Sequence, residues 1–416
     1  MFCDAKHSKF VQYLCGCPKD SRMEINMENT KKAVIGIIGC GHIAKDVHLE
    51  NAFTNPRIRV KWCSDLNDEN LEYVKEKYKG EMFTKNYMDI LEDDEVQGVL
   101  ILTCHDVREK IIRDAAEHGK HIFVEKPMST TVKESYDIMR IIKENNVKLT
   151  VGFNRRCAPI IQDAKALLDS QDTAKETPWR YKRYGNVTKL REEEATMMLM
   201  RINDDSASFK SYAFDEFVGQ GTIIGEFCHF FDLACYLIGK EPIKIYAEGW
   251  SRVNASVTVQ FEDLSICTIF DASCGSFDHP KELIEIYKGG MSLQLDHYLQ
   301  MRVGGRCDIF KKNYPFKYDP YPEITDGEGT NLYANKVRER NKHVGKSTDF
   351  GFPTVDKGHY NLLDGFVDCI LLDAPSPCDA VAGSRATLMC LKARESVRLG
   401  LPVKISIDEY NFVISQ

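Results

Sequence analysis

The sequence predicts an α/β fold: an N-terminal doubly wound parallel sheet, then a C-terminal α/β domain with a large, open, mainly antiparallel sheet. Three observations predict it. From residue 33 to residue 153, short apolar runs alternate with helix-length amphipathic stretches, the rhythm of βαβ units. Past residue 240, strand-like runs follow one another across short turns, as antiparallel pairing allows. The first apolar run ends in Gly39-Cys40-Gly41-His42-Ile43-Ala44, a glycine turn between a strand and a helix.

Residues 33–38 (AVIGII) are apolar throughout, as a strand buried on both faces requires. Residues 42–53 continue as a helix, 57–63 (RIRVKWC) as a strand and 67–78 as a charged amphipathic helix. Further strands fall at 97–102, 120–124 and 148–153, separated by helices at 107–117 and 132–145. Beyond Arg156 the rhythm changes. A helix at 159–168 precedes a polar, irregular stretch at 169–193, and another helix at 222–238 closes at Gly239. Strands follow at 242–250, 255–261, 265–270, 282–288 and 291–296. Residues 306–352 are aromatic and charged without periodicity, the mark of a functional loop or an oligomer contact. Helices at 361–371 and 384–399 end the pattern, which contains no internal repeat. The expected divisions are a tail (1–30), a doubly wound domain (31–156) and a second domain (157–416) holding the insertion at 306–352.

Composition narrows the function classes. Of 416 residues, 43% are hydrophobic and 28% charged, and the formal net charge is -7. No basic excess exists to neutralise phosphates, which argues against a nucleic-acid binder. No apolar stretch is long enough to span a bilayer, and residues 1–22 lack the apolar core of a secretory signal. The ordered pattern begins near Lys31, so Met23 or Met27 is a second candidate start. Fifteen scattered cysteines fit reduced cytoplasmic thiols better than a disulfide scaffold. Cys3, His7, Cys15 and Cys17 match no zinc spacing, so no metal is expected.

The glycine turn carries the first chemistry. Gly39 and Gly41 let the backbone approach a pyrophosphate, and His42 and Ile43 lead into a helix whose N–H groups face that charge. Ala44 is small enough for close packing. Asp65, at the next strand end, can accept hydrogen bonds from ribose hydroxyls and would repel a 2′-phosphate; no basic residue follows it directly. This favours NAD over NADP. The bland alternative is a helix-capping role for Asp65 or Asn67. Downstream, the strand at 120–124 ends in Glu125-Lys126-Pro127, presenting a lysine at the carboxyl edge of the sheet, where such folds bind cofactors.

Together these residues resemble the Gfo/Idh/MocA oxidoreductases. The resemblance rests on the glycine turn, Thr103-Cys104-His105, Glu125-Lys126-Pro127, Val151 to Arg156, and Gly225-Glu226-Phe227-Cys228-His229-Phe230-Phe231-Asp232. Lys357-Gly358-His359 and 395–403 add to it. It covers the chain apart from the tail and the insertion. It implies a Rossmann domain with a nicotinamide cofactor, with Thr103, His105, Glu125 and Lys126 at the cofactor. It also implies a small carbohydrate substrate and a second domain whose open sheet mediates homo-oligomerisation, as a dimer or tetramer.

Oxidising a secondary alcohol needs a hydride acceptor and a proton acceptor. Lys126 and His229 are the candidates for the proton. Free lysine titrates near ~10.4, so as a base Lys126 needs a depressed value; otherwise it hydrogen-bonds the developing alkoxide. Many relatives place an aspartate four residues before the histidine, on the same helix face. Here that position is Gly225. Glu226 is adjacent but rotated by about 100° on a regular helix, so either it serves through altered geometry or the site runs on Lys126 and His229 alone. Asp232 either orients the imidazole or stabilises the helix. Asn154, Arg155, Asn203, Tyr212 and His229 are substrate-contact candidates. Arg156 is as well explained by an ion pair, His359 by a structural role, and Pro127 by a cis bond that aims the lysine. The expected function is NAD-dependent oxidation of a secondary hydroxyl, with C3 a candidate carbon, of a sugar, glycoside, nucleotide sugar or cyclitol. Two alternatives are a redox-neutral epimerase or glycoside-cleaving enzyme with tightly bound NAD, and a non-catalytic NAD-sensing regulatory protein; the presence of both Lys126 and His229 argues against the last.

Overall fold

The computed structural model describes residues 31–170, 195–204, 221–250, 254–276, 278–306, 308–348 and 350–411. The tail, with its cysteines, most of the polar stretch at 169–193, and Tyr212 lie outside the described residues.

The first sheet holds six strands: β1 (Ala33–Ile38), β2 (Ile58–Ser64), β3 (Met82–Thr84), β4 (Gly98–Ile101), β5 (His121–Val124) and β6 (Leu149–Val151). Their order is β3-β2-β1-β4-β5-β6 and every pairing is parallel. The order reverses between β1 and β4, and such a switch point is where dinucleotides bind. The short β3 has no apolar run to announce it. Helices α1 (Leu49–Thr54), α2 (Asp68–Tyr78), α3 (Met88–Leu91), α4 (Arg108–Glu117) and α5 (Val132–Glu144) connect the strands. A π-helical turn, Ala44–His48, leads into α1.

The second sheet has nine strands. They are β7 (Met197–Asn203), β8 (Pro242–Trp250), β9 (Asn254–Phe261), β10 (Ile266–Ala272), β11 (Glu282–Lys288), β12 (Met291–Asp296), β13 (Gln300–Gly304), β14 (Lys311–Asn313) and β17 (Val403–Lys404). Their order is β14-β13-β12-β11-β7-β10-β9-β8-β17. Only β7 and β10 pair in parallel. Burial alternates along β9 and β11, as in a sheet packed on one face only. The packed face meets α6 (Pro159–Asp169) and α11 (Ala380–Leu399), and α8 (Phe227–Ile238) packs against both helices. The other face exposes Met197, Leu199, Phe270 and Tyr287.

The insertion departs from expectation. Residues 316–318 and 354–355 form a small hairpin, β15 (Phe316–Tyr318) with β16 (Thr354–Val355), and a helix, α9 (Gly329–His343), lies between them. Its anchor is Lys336, buried, whose Nζ donates to Ile324 O (2.8 Å) and to Tyr321 O. Those bonds are polar, so no apolar period reveals the helix. Near the end, α10 (His359–Leu371) returns to pack on β1, β5 and α1, while α11 bridges α5, α8 and β8. The two sheets therefore share one continuous core. No helix of the described residues is long and apolar enough to cross a membrane.

Candidate active site

At the nucleotide end, Gly39 has φ +94°, and a Cβ there would meet Leu102 C at 3.0 Å. Glycine alone suits that turn. Gly41 differs: a Cβ would meet nothing within 4 Å among the described residues, so the turn opens onto free space. Cys40 N donates to Asp65 Oδ2 at 2.7 Å, and Asn67 N to Asp65 Oδ1 at 2.8 Å. Asp65 is thereby fixed at the end of β2, and Asn67, not Asp65, caps α2 by accepting from Glu69 N. His42 is exposed and pairs with Asp46 at 3.1 Å; Ile43 packs against the core. Across the switch point, Thr103 Oγ1 and His105 Nε2 are buried without a hydrogen-bond partner among the described residues. Burial pulls the His105 pKa down. A cradle open at Gly41, a ribose acceptor at Asp65 and unsatisfied polar atoms at Thr103 and His105 fit a dinucleotide.

The strand β5 delivers Glu125, Lys126 and Pro127, with a cis bond between the last two. Glu125 is buried and points inward: Oε1 accepts from His48 Nε2 at 2.7 Å, and Oε2 from Lys126 N at 3.0 Å. Burial would raise this carboxyl, but the hydrogen bond and charge of His48, with Lys126 and Arg108, hold it at about 2. The Lys126 side chain leaves in the other direction. Its Nζ donates to Gly225 O at 2.7 Å and lies 3.3 Å from Glu226 Oε2.

That contact exists because the helix expected at 222–238 is broken. α7 (Gly221–Gly225) stops, Glu226 takes φ -122° and ψ -41°, and α8 starts at Phe227. Residues 225 and 229 thus do not lie one turn apart on a single helix, and the 100° argument against Glu226 lapses. Its carboxylate meets Lys126, Arg155 (3.2 Å) and Lys281 (3.2 Å). Burial would raise its pKa; the three cations drive it well below the usual carboxylate range. His229, on the first turn of α8, is buried edge-on to Phe153, with ring centroids 5.7 Å apart. Its Nδ1 has no partner among the described residues. Burial, then the Arg155 and Lys126 charges, push its pKa well below the usual value. Asp232 does not orient this ring: it takes Arg156 in a buried two-point ion pair, with Nε–Oδ2 at 2.6 Å.

The remaining candidates fall around this cluster. Arg155 is buried, forks onto both oxygens of Glu282 at 3.0 Å and lies over the Phe230 ring. Asn154 Nδ2 donates to Lys357 O at 2.8 Å. Asn203 Nδ2 is committed to Ser276 O and His279 O, at 2.8 and 3.2 Å. His359 is edge-on to His48, and burial takes it to about 3. Several residues of the cluster escaped sequence reasoning. Glu282 also accepts from Lys357 (2.7 Å) and Tyr298 OH (2.6 Å), and Lys281 joins Glu226 to Asp204 (2.6 Å). Asp271, buried with Oδ1 unpartnered among the described residues, is raised to about 7 by burial and by Asp204 and Glu226. Lys281 and Glu282 head a strand with no motif around them; only the sheet register brings them here. Among the described residues, no group of three or more His, Cys, Asp or Glu side chains could hold a metal ion.

Comparison with known proteins agrees with the fold. Residues 33–153 match the GFO_IDH_MocA family, described as an oxidoreductase family with an NAD-binding Rossmann fold. The chain is 26% identical over 391 residues to the uncharacterized oxidoreductase YrbE of Bacillus subtilis (strain 168), covering 91% of this chain and 98% of that protein. It is 29% identical over 384 residues to scyllo-inositol 2-dehydrogenase (NAD(+)) of the same organism, covering 90% and 96%. Among solved structures, scyllo-inositol dehydrogenase from Lactobacillus casei with bound NAD(H) and scyllo-inositol superposes with a TM-score of 0.66 at 19% identity, covering 90% of this chain and 99% of that one.

Proposed function

We propose that the chain, whose residues 33–153 match the Gfo/Idh/MocA oxidoreductase family with its NAD-binding Rossmann fold, oxidises a secondary hydroxyl of a cyclitol or sugar ring with NAD. Glycosides and nucleotide sugars belong to the same class, and C3 is the carbon we favour on a pyranoside. One observation carries the reading: Lys126, at the carboxyl edge of the parallel sheet, meets Glu226 beside a buried His229. The likeness to a relative named for oxidising an inositol ring supports it.

NAD supplies the hydride acceptor. The residues supply the rest. His229, whose pKa is depressed by burial, is neutral at physiological pH and takes the hydroxyl proton. The Lys126 ammonium donates a hydrogen bond to the oxygen as charge develops on it. Glu226 accepts no proton at neutral pH, because three cations hold it ionised; it anchors Lys126, Arg155 and Lys281. The Glu282 knot, with Arg155, Lys357 and Tyr298, makes the floor rigid. Thr103, His105 and Asp65 contact the cofactor, and Asn154 and Arg155 act on the substrate through the groups they hold.

Absorbance of NADH on mixing NAD with a panel of inositols, pyranosides and nucleotide sugars tests the reading. Tight NAD binding without turnover of any of them would overturn it. We further propose a homo-oligomer assembled through the open sheet face bearing Leu199 and Phe270, which sedimentation checks. A cytoplasmic location suits the cysteines, all free among the described residues.

A further inference from the structure

Arg108 opens α4 just past the Thr103–His105 segment and is 6% exposed. Among the described residues its guanidinium makes four hydrogen bonds, all to main-chain carbonyls. Nε and Nη2 donate to Thr103 O at 3.0 and 2.6 Å. Nη1 donates to Glu125 O at 2.8 Å and to Pro127 O at 2.7 Å. Among the described residues no carboxylate is bonded to it. The Glu125 carboxylate, the leading opposite charge in its field, is already taken by His48 and by Lys126 N–H.

A buried cation without a bonded carboxylate is costly, and burial pulls this guanidinium below the usual arginine range. What the arrangement achieves is a fixed distance. Arginine's planar fork holds several acceptors in one geometry, which a lysine cannot. One end of the fork grips the turn where Thr103 Oγ1 and His105 Nε2 stay open. The other grips the residues immediately before and after Lys126. From that segment the lysine side chain reaches Gly225 O and Glu226 on the far domain.

We propose that Arg108 is a positioning residue for Lys126, setting its ammonium against the cofactor turn through the carbonyls on either side of the lysine. This rests on Lys126 serving the hydride-transfer site as proposed above.

The test uses the full chain with NAD and the variants Arg108→Ala and Arg108→Lys, with the melting midpoint measured for each. Lys126 is read directly, by its rate of acylation across a pH series, followed by peptide mass spectrometry. The expected result is a severalfold change at Lys126 with none at Lys110, an exposed lysine on the same helix. The kcat on a turned-over inositol or sugar falls by about tenfold or more, in line with the cost of small misplacements, while NADH affinity changes little. Guanidinium ion below denaturing concentration restores part of the Arg108→Ala loss. Wild-type acylation of Lys126 in a folded variant overturns the proposal, as does a kcat loss that only tracks the melting midpoint. If Arg108→Ala does not fold, Arg108→Lys keeps a charge and carries the same readouts. Absence of turnover by the wild type would count against the dehydrogenase reading, whereas the acylation result would still decide the role of Arg108.

Discussion

Lys126 and His229 sit beside the same carboxylate yet face opposite demands. Lys126 is gripped at Nζ by Gly225 O and Glu226, so it is placed to donate. Lys126→Met removes that donor, and we expect kcat to fall by roughly 10² to 10³ with NADH binding, read by fluorescence, largely kept. Equal losses in both would assign Lys126 to cofactor binding instead. For His229 the sign follows from its depressed pKa. A free histidine protonates as pH falls through about 6.5, but this one stays neutral there. The acid limb of kcat/KM should therefore lie below that value, and His229→Asn should abolish it together with most of the rate. A limb centred on the free-histidine value would refute the assignment. Lys126, Glu226 and His229 were legible because each stands in a short contiguous motif. Arg108, Lys281 and Glu282 were not. Arg155 and Glu282 are 127 positions apart, and nothing local tells a buried two-point partner from a surface charge.

Elements place these residues, and the break between α7 and α8 matters most. A period of 3.6 reads 222–238 as one amphipathic helix, because a single residue leaving the helical region does not disturb the apolar spacing. Yet that residue is Glu226, and its exit turns the carboxylate toward Lys126. The strand β7 was hidden for another reason: it alternates with apolar residues on its open face, Met197 and Leu199, so no polar beat marks it. The buried parallel strands read plainly, since both faces demand apolar residues. Two glycines give separable tests at this scale. Gly358 has φ +84°, and a Cβ there would lie 2.3 Å from Ala158 N and 2.5 Å from Asn154 O. Gly358→Ala should destabilise by more than about 2 kcal/mol, because strain and backbone overlap add; urea unfolding checks it. Gly41 meets open space. Gly41→Val should leave the melting midpoint of the cofactor-free protein nearly unchanged and weaken NAD binding by about tenfold or more, since the side chain fills the pyrophosphate cradle. Unchanged NAD affinity in that variant would place the cradle elsewhere.

The two sheets share one core, and the charged groups buried between them make the stability of the whole molecule depend on pH. His297 and His359 are both held at about 3 by burial, and His229 is displaced in the same direction. In the unfolded chain each would titrate near ~6.5. As pH falls below that value the unfolded state binds protons that the native state refuses, so stability falls, by about 1.4 kcal/mol per pH unit for each histidine. Asp271 acts with the opposite sign. It is held at about 7 against ~3.9 unfolded, so between those values the native state keeps a proton that the unfolded state has lost. Stability from this group is present at the acid end and lost as pH rises. His297 and His359 against Asp271 leave a net difference near one proton, or roughly 1–2 kcal/mol per pH unit between about pH 6 and pH 5, and His229 adds to it in the same direction. Urea midpoints over that range should fall steadily with acid. The two kinds of group then separate by substitution. His359→Gln should flatten the slope by about one proton, and Asp271→Asn should steepen it by about one. If both variants keep the wild-type slope, the buried groups titrate alike in the folded and unfolded states, and the pH dependence arises from the surface carboxylates instead.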